Sequence, residues 1–394
     1  MNLKRRFWLV VLAISLLVGF TGYNLPLNAQ STVPPVPSTA TQELRGVWLT
    51  NIDSDVLFSQ RNLSRALQRL HRLNFNTIYP TVWNWGYTLY PSAIAELFIG
   101  RSVDPHPGLQ GRDMLAEAVD QGHRLGMAVI PWFEFGLMAP ADSALAQRHP
   151  EWLTQRRDGS RIVFEGRDPR VWLNPFHPEV QQFILDLVKE IVTNYDVDGF
   201  QLDDHFGMPV ELGYDPYTVR LYEEQRGQSP PDDPQDPVWK QWRAEQITRL
   251  MSQVFETIKQ QKPDCIVALS PNPKAYAYDT FLQDWGIWER RGWVEELIIQ
   301  VYRNDLDRFV MELERPEVTL AQTHIPVGIG ILTGLRNRSV EMQQIARQVQ
   351  AVRDRRLAGV SFFFYETLGN RDGAFRTLFP RPATRPSVIA TNQR

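Results

Sequence analysis

Eight short apolar segments alternate with helical segments along the chain, and this alternation predicts a (β/α)8 barrel. The short segments are rich in β-branched and aromatic residues, as expected for parallel strands that are buried on both faces. The longer segments between them place apolar residues at helical spacing. The alternation runs from residue 43 to about residue 380, a length that α/β barrels commonly reach as single domains.

The predicted elements follow one another in a regular order. Strands are predicted at residues 44–49, 76–83, 127–134, 197–203, 265–269, 297–302, 325–330 and 360–365. Helices are predicted at residues 62–73, 114–125, 179–195, 238–259, 305–313 and 340–356. An open doubly wound sheet is the alternative, but it usually has a glycine-rich turn after its first strand. Here Trp48-Leu49-Thr50-Asn51 stands at that position, which favours the closed barrel.

The two ends of the chain differ in composition from the predicted barrel, residues 43–380. Lys4, Arg5 and Arg6 precede an apolar run at residues 7–20, so residues 1–29 are predicted to be a signal peptide, with an uncleaved anchor as the alternative. Residues 30–42 are rich in Ser, Thr and Pro and predict a linker. Residues 381–394 are predicted to be a disordered tail. We therefore expect the protein to be exported to the periplasm, the cell envelope or the medium.

Composition and motifs exclude several classes of function. The net charge of −3 shows no excess of basic residues, so nucleic acid is not expected as a partner. The sequence contains no phosphate-binding loop, no zinc signature and no Gly-x-Ser-x-Gly elbow, so we predict no cofactor and no serine nucleophile. Contact with a membrane is expected only through an uncleaved anchor. The sequence leaves the oligomeric state open.

The fourth predicted strand carries the strongest signal for a site. Its alternation places Gly199, Gln201 and Asp203 on one face, which we expect to point into the barrel. Asp203 and Asp204 then lie at the carboxyl end of the strand, where the reactive groups of such barrels gather. A solvated helix cap is the alternative for these aspartates.

The other strand ends contribute a rim of indoles, amides and carboxylates with few basic residues. Such a rim suits a neutral, hydroxyl-rich ligand, whereas a phosphate would require basic groups or clustered backbone amides. The aromatic segment 83–90 fits either a platform for a sugar or a lid that packs on the barrel. The predicted substrate-binding residues are Trp48, Asn51, Trp83, Asn84, Trp132, Gln201, His205, Asn272, Gln300, Tyr302 and Tyr365.

Glycoside hydrolysis is the chemistry that requires two carboxyl groups in such a rim. We expect Asp203 to be the ionised partner, and Glu134 and Glu366 compete for the role of the acid because Trp132 or Tyr365 would raise their pKa values by desolvation. Asp204 either acts directly or orients a loop. A barrel that binds glycans without cleaving them is the alternative function.

A metal site formed by Asp203, Asp204 and His205 is a further alternative, because carboxylates and imidazole bind several divalent ions. Side chains of adjacent strand residues diverge, however, so these three are not expected to share one ion. We therefore predict no metal.

The chain resembles the bacterial glycosyl-hydrolase-like 10 family. The motifs that carry the resemblance are Leu44-Arg45-Gly46-Val47-Trp48, Pro131-Trp132-Phe133, Asp198-Gly199-Phe200-Gln201-Leu202-Asp203-Asp204, Leu269-Ser270-Pro271 and Ile299-Gln300-Val301-Tyr302. The resemblance implies a (β/α)8 barrel of exported proteins that act on peptidoglycan glycan strands, with Asp203 and Asp204 at the family's paired-aspartate position. Gln201 stands where the family often has His, and Arg303 stands where it often has Trp, so the selectivity for sugars is expected to differ.

Overall fold

The computed structural model describes residues 41–387, whose central feature is a parallel barrel. The predicted signal peptide and most of the predicted linker lie outside the described residues. The barrel strands are β1 Leu44–Leu49, β2 Thr77–Pro80, β3 in two pieces at Ala128–Val129 and Trp132–Phe133, β4 Gly199–Asp203, β5 Ile266–Ser270, β6 Glu296–Gln300, β7 Val327–Leu332 and β8 Gly359–Phe363. The predicted strands are confirmed, with ends that shift by a few residues.

The sheet closes into a barrel through the pairing of its first and last strands and through the two pieces of β3. β1 pairs in parallel with β8, beginning with Leu44 opposite Gly359. The two pieces of β3 pair with different neighbours, Ala128–Val129 with β2 and Trp132–Phe133 with β4. Pro131 separates the two pieces because it has no backbone N–H, although its carbonyl still accepts from Gln201 at 2.8 Å.

Helices surround the barrel between successive strands. They are α1 Gln60–Arg72, α2 Ala93–Ile99, α3 Met114–Arg124, α4 Ala144–Arg148, α5 Pro178–Asn194, α6 Pro216–Arg226, α7 Pro237–Gln261, α8 Lys274–Phe281, α9 Trp285–Arg290, α10 Leu306–Leu313, α11 Pro316–Gln322, α12 Met342–Asp354 and α13 Asp372–Leu378. Helix α1 shows why they form: the Ser59 side chain caps its first turn, and Leu63, Leu67 and Leu70 are buried at helical spacing. Within the described residues, no helix combines the length and the apolarity needed to cross a bilayer.

The core has two layers that follow the alternation of the strands. Side chains on the outer face pack against the helices, and those on the inner face fill the barrel. The buried members of the inner cluster are Leu44, Trp48, Tyr79, Ile130, Trp132, Ala268 and Ile298.

Three small antiparallel sheets follow barrel strands at the carboxyl end of the barrel. Trp83–Asn84 pairs with Tyr87–Thr88 in a hairpin after β2. After β3, Asp168–Trp172 pairs with both Met138–Pro140 and Val163–Glu165. After β7, Gly334–Leu335 pairs with Arg338–Ser339. These loops therefore border the mouth at which the catalytic groups were predicted.

The structure corrects the prediction of a disordered tail at residues 381–387. Thr384 pairs with Gln42, and the Arg381 carbonyl accepts from Arg45 at 2.5 Å. The Arg385 guanidinium forms an ion pair with Glu296, whose side chain is 1% exposed in the lower part of the barrel. The Pro-rich composition misled the prediction because one buried ion pair and a few backbone hydrogen bonds are enough to hold this segment. Residues 388–394 lie outside the described part of the chain.

Candidate active site

The carboxyl ends of β3 and β4 bring the strongest catalytic candidates together. Gln201 lies opposite Trp132 and Leu202 opposite Phe133, so the next residues along the two strands are Asp203 and Glu134. Both side chains follow the inward alternation of their strands. The expectation that polar groups at the carboxyl ends of barrel strands gather at one mouth therefore located these two acids correctly.

Glu134 is a buried carboxyl group, 5% exposed, held by residues from two other strand ends. Its Oε2 atom accepts from Thr81 Oγ1 at 2.9 Å and from Asn84 Nδ2 at 2.7 Å, and Thr50 Oγ1 lies 3.2 Å away. Its Oε1 atom has only a 3.4 Å contact with Thr50. Burial raises the pKa of Glu134 to about 7, although the hydroxyl and amide donors and the charge of His205 act in the opposite direction.

Asp203 and Asp204 form an adjacent pair held by amides and a hydroxyl. Asp203 Oδ1 accepts from Ser270 Oγ at 2.8 Å and from Gln300 Nε2 at 2.7 Å. Asp204 Oδ2 accepts from Asn272 Nδ2 at 2.5 Å. Asn272 and Gln300, which the sequence predicts to bind substrate at the rim, thus contact the two carboxyl groups in the structure.

His205 is the cation at the centre of the acids. Its Nδ1 atom lies 3.3 Å from Asp204 Oδ1, 3.6 Å from Asp203 Oδ2 and 3.2 Å from the Glu134 carbonyl oxygen. Its Nε2 atom lies 2.9 Å from Glu165 Oε1. Burial alone would lower its pKa, but Asp204, Asp203 and Glu165 raise the pKa of His205 well above its ordinary value, which favours the charged form of the ring.

The structure changes the expected protonation of Asp203. The sequence predicts an ionised carboxylate in a polar spot, but Asp203 is only 3% exposed. Burial first, and then the charge of Asp204, raise the pKa of Asp203 well above its ordinary value. Asp203 therefore keeps its proton to a higher pH than an ordinary aspartate does, because it is buried beside the charge of Asp204.

The geometric argument against a metal site is wrong, because the candidate ligand atoms of Asp203, Asp204 and His205 do converge to within 4.8 Å of one another. The same atoms also form an ion-pair network, in which His205 Nδ1 faces the two aspartates and Nε2 faces Glu165.

Trp48, Trp132 and Gln201 lie beneath the acids as the floor of the mouth. Trp48 Nε1 donates to Gln201 Oε1 at 2.8 Å, and the Trp48 and Trp132 ring centroids are 5.9 Å apart. Trp132 Nε1 and Gln201 Nε2 are buried donors for which the described residues provide no acceptor. Such donors require a partner from solvent or from a ligand.

Tyr302 and Asn51 extend the same site. The Tyr302 ring lies 5.7 Å from Phe363, and burial together with the charges of Asp203, Asp204 and Glu134 raises the pKa of its hydroxyl well above its ordinary value. Asn51 Oδ1 accepts from Asn84 Nδ2 at 2.9 Å.

Trp83 is not at the mouth, which corrects the prediction that it contacts substrate. The ring is 0% exposed, stacks on Phe133 with centroids 5.6 Å apart and donates to the Gly136 carbonyl. It faces the helical layer because the hairpin that begins at Trp83 alternates its side chains, as every strand does.

Tyr365 and Glu366 line a cavity of about 570 Å³, together with Asn51, Asp53, Ser54, Arg65 and Arg336. Glu366 accepts from Ser54 Oγ at 2.5 Å, and burial raises its pKa as predicted. Its hydrogen bond thus joins it to the loop after β1 and not to the carboxylate cluster. Glu134 is the stronger candidate for the acid.

Sequence reasoning missed five residues that organise the site. Thr50, Thr81 and Ser270 stand at or just after the ends of β1, β2 and β5, so the same expectation about strand ends would have found them had hydroxyls been considered. Glu165 and Arg170 come from the sheet after β3, where no periodicity or motif marks them. Arg170 Nε lies 3.6 Å from Glu165 Oε2.

Comparisons with known sequences point to one family. The family model described as glycosyl hydrolase-like 10 matches residues 43–352. Glycosyl hydrolase DigH of Escherichia coli (strain K12) is 27% identical over 319 residues, which cover 70% of this chain and 69% of DigH. Glycosyl hydrolase YngK of Bacillus subtilis (strain 168) is 24% identical over 328 residues, which cover 73% of this chain and 58% of YngK.

Solved structures of low sequence identity share the fold. The PgaB (BpsB) glycoside hydrolase domain from Bordetella bronchiseptica aligns with a TM-score of 0.63 and 14% identity, covering 85% of this chain and 98% of that domain. The catalytic domain of β-amylase from Paenibacillus polymyxa aligns with a TM-score of 0.58 and 10% identity, covering 86% and 98%. The predicted (β/α)8 barrel is confirmed. Because the family model spans nearly the whole barrel, the chain belongs to the glycosyl hydrolase-like 10 family, as its motifs predicted.

Proposed function

We propose that this chain is an exported glycoside hydrolase that cleaves a cell-envelope or extracellular polysaccharide, with peptidoglycan glycan strands as the first candidate. The observation that carries the proposal is the pairing of two kinds of carboxyl group at one barrel mouth. Glu134, whose pKa burial raises to about 7, lies at the end of β3, next to the Asp203–Asp204 pair at the end of β4. Hydrolysis of a glycosidic bond requires such a proton donor and such a negative charge.

Glu134 is the proton donor in this mechanism. A carboxyl group with a pKa of about 7 holds its proton at neutral pH and releases it readily to a leaving oxygen. Thr81 and Asn84 bind Oε2, which leaves Oε1 as the atom that faces substrate. The same donors stabilise the carboxylate after the proton has left.

The Asp203–Asp204 pair supplies the negative charge on the other side of the bond that is cleaved. The positive charge of His205 favours a negative charge on the pair, because its Nδ1 atom lies 3.3 Å from Asp204 Oδ1 and 3.6 Å from Asp203 Oδ2. This negative charge stabilises the positive charge that develops on the anomeric carbon in the transition state. Water supplies the new bond to that carbon and gives one proton to a carboxylate of the site, which balances the proton that Glu134 donates to the leaving oxygen. Ser270, Gln300 and Asn272 fix the orientation of the pair.

The composition of the mouth supports a glycan as the substrate. Asn272, Gln300 and Tyr302 present amides and a hydroxyl, which exchange hydrogen bonds with sugar hydroxyls, and Trp132 Nε1 is an unpaired donor. The names of DigH and YngK support the reaction type. The predicted signal peptide supports export.

Glu134→Gln and Asp203→Asn are expected to lower the release of new reducing ends from purified sacculi by about 100-fold or more, because each removes a group that acts in the transition state. Released fragments would be identified by liquid chromatography and mass spectrometry. Glu245→Gln on the outer surface of α7 is the matched control and should keep full activity.

Retention of activity in both active-site variants would contradict the proposal. Binding of sacculi by the wild-type protein without any released fragment would instead support the alternative of a glycan-binding barrel. A panel of plant and microbial polysaccharides assayed in parallel would extend the test to other glycans.

A further inference from the structure

Trp85 combines solvent exposure with a backbone conformation that tryptophan rarely adopts. It forms, with Gly86, the two-residue turn between Trp83–Asn84 and Tyr87–Thr88. The φ angles are 57° at Trp85 and 75° at Gly86. Hairpin turns with two positive φ angles favour Asn, Asp or Gly at the first position, because a bulky side chain is strained there. The ring is nevertheless 41% exposed, so burial in the core does not explain the residue.

Trp85 lies near the residues that are proposed to cleave the glycosidic bond. Asn84, the preceding residue, donates to Glu134 Oε2 at 2.7 Å. On the other side, the Arg170 guanidinium lies over the Trp85 ring at 5.2 Å from its centroid. Arg170 contacts Glu165, and Glu165 Oε1 lies 2.9 Å from His205 Nε2. Short chains of contacts therefore connect Trp85 to both the proton donor and the aspartate pair.

The surroundings of the ring suit a pyranose. Arg170 covers one part of the indole, and the exposed part offers a flat apolar surface of the kind that packs on the C–H face of a sugar. Glu165, which contacts Arg170 and whose side chain is 47% exposed, offers an acceptor for hydroxyl groups near this surface. Backbone strain in an exposed residue at a mouth is typical of a functional position.

We propose that Trp85 is a stacking platform for a sugar unit next to the bond that is cleaved. This inference rests on the proposed glycan substrate, and it adds a binding position contributed by the loop after β2. The ring acts on affinity for the glycan and not on proton transfer, because it holds a sugar that does not react.

Trp85→Asn tests the platform without harming the turn, since Asn is favoured at this left-handed position. We expect the melting temperature to be equal to or above that of the wild-type protein, and KM for peptide-free peptidoglycan glycan strands to rise about tenfold with little change in kcat. Trp85→Phe retains a ring and should recover part of the affinity. Met311→Ala on α10, where the side chain is 59% exposed, is the control for loss of an exposed apolar group and should leave KM unchanged.

A binding measurement separates this inference from the proposed hydrolysis. Retention of each protein on immobilised glycan strands and on an N-acetylglucosamine hexasaccharide would be compared by affinity electrophoresis. Weaker retention of Trp85→Asn than of the wild type supports the platform even if no bond is cleaved. Equal retention of the two proteins, whether both bind or neither binds, would overturn it.

Discussion

At the scale of single residues, Glu134 shows how burial raises the pKa of an ordinary carboxyl group into the range that a proton donor needs. The side chain is 5% exposed, and this desolvation outweighs the three donors that favour its charged form. The outcome is a pKa of about 7 in a group whose usual value is 4.5. A glutamate in water at the same pH would hold almost no proton to donate.

This pKa predicts the pH dependence of the reaction. A general acid works only while it is protonated, so kcat/KM should fall as the pH rises through about 7, by about tenfold per pH unit on the alkaline side. The measurement is a pH–rate profile on glycan strands between pH 5 and pH 9. The residual activity of Glu134→Gln should lack this alkaline decline. An unchanged decline in that variant would assign the titration to another group.

At the scale of elements, the ion pair between Glu165 and His205 connects the sheet after β3 to the site. The turn between Val163–Glu165 and Asp168–Trp172 is exposed, and Phe164 is 69% exposed. Glu165 ties it to the mouth by its contact with His205, and it also contacts Arg170 within the same sheet. The position of this hairpin therefore depends on the charge of His205 at the mouth.

Glu165→Gln should loosen the hairpin and make Arg167 at its turn easier for trypsin to reach. Half of the Glu165 side chain is exposed, so we expect a loss of about 1 kcal/mol and a cleavage rate that rises about fivefold. Limited proteolysis followed by mass spectrometry would measure the rate of cleavage at Arg167. Glu151→Gln removes the same charge from the His149–Glu151 pair elsewhere and should leave the rate unchanged. Equal rates in both variants would show that Glu165 does not hold the hairpin.

At the scale of the whole molecule, the carboxyl-terminal segment closes the amino-terminal end of the barrel. Glu296 is buried in the lower part of the barrel, where it accepts from Tyr79 Oη at 3.1 Å and pairs with Arg385. Arg385 is the cation that compensates this buried charge. Gln42 pairs with Thr384 and Arg45 donates to the Arg381 carbonyl, so the first strand is also joined to the last described residues.

Arg385→Ala should destabilise the protein by about 3 kcal/mol, because it leaves the buried Glu296 without a cation. Urea denaturation would measure the loss. The double variant Glu296→Gln with Arg385→Ala should recover most of the stability, since the amide carries no charge. A double variant no more stable than Arg385→Ala would show that the segment acts through its other contacts.

The sequence predicted the barrel and its principal acids because both depend on local patterns. Strands such as β4 are short apolar runs, and the carboxyl end of a strand is a fixed place in this fold, so Asp203 and Glu134 could be located from periodicity alone. The positions of Asn84, Asn272 and Gln300 followed from the same rule.

Other features depend on contacts that no local pattern records. The orientation of Trp83 depends on which face of its hairpin packs against α5, and the ionisation of Asp203 depends on how deeply it is buried. The role of Glu165 requires a contact with His205, 40 positions further along the chain. The fixed position of Arg385 depends on one acid inside the barrel.

The packed aromatic rings under the carboxyl groups determine how a polymer could reach them. Trp48, Tyr79 and Trp132 fill the interior, so the opening has a bottom and is not a tunnel. A polysaccharide that reaches the acids must enter and leave through the same face. Threading of one strand through the protein is therefore ruled out, and successive cuts require the strand to be shifted sideways across the opening or released and captured again.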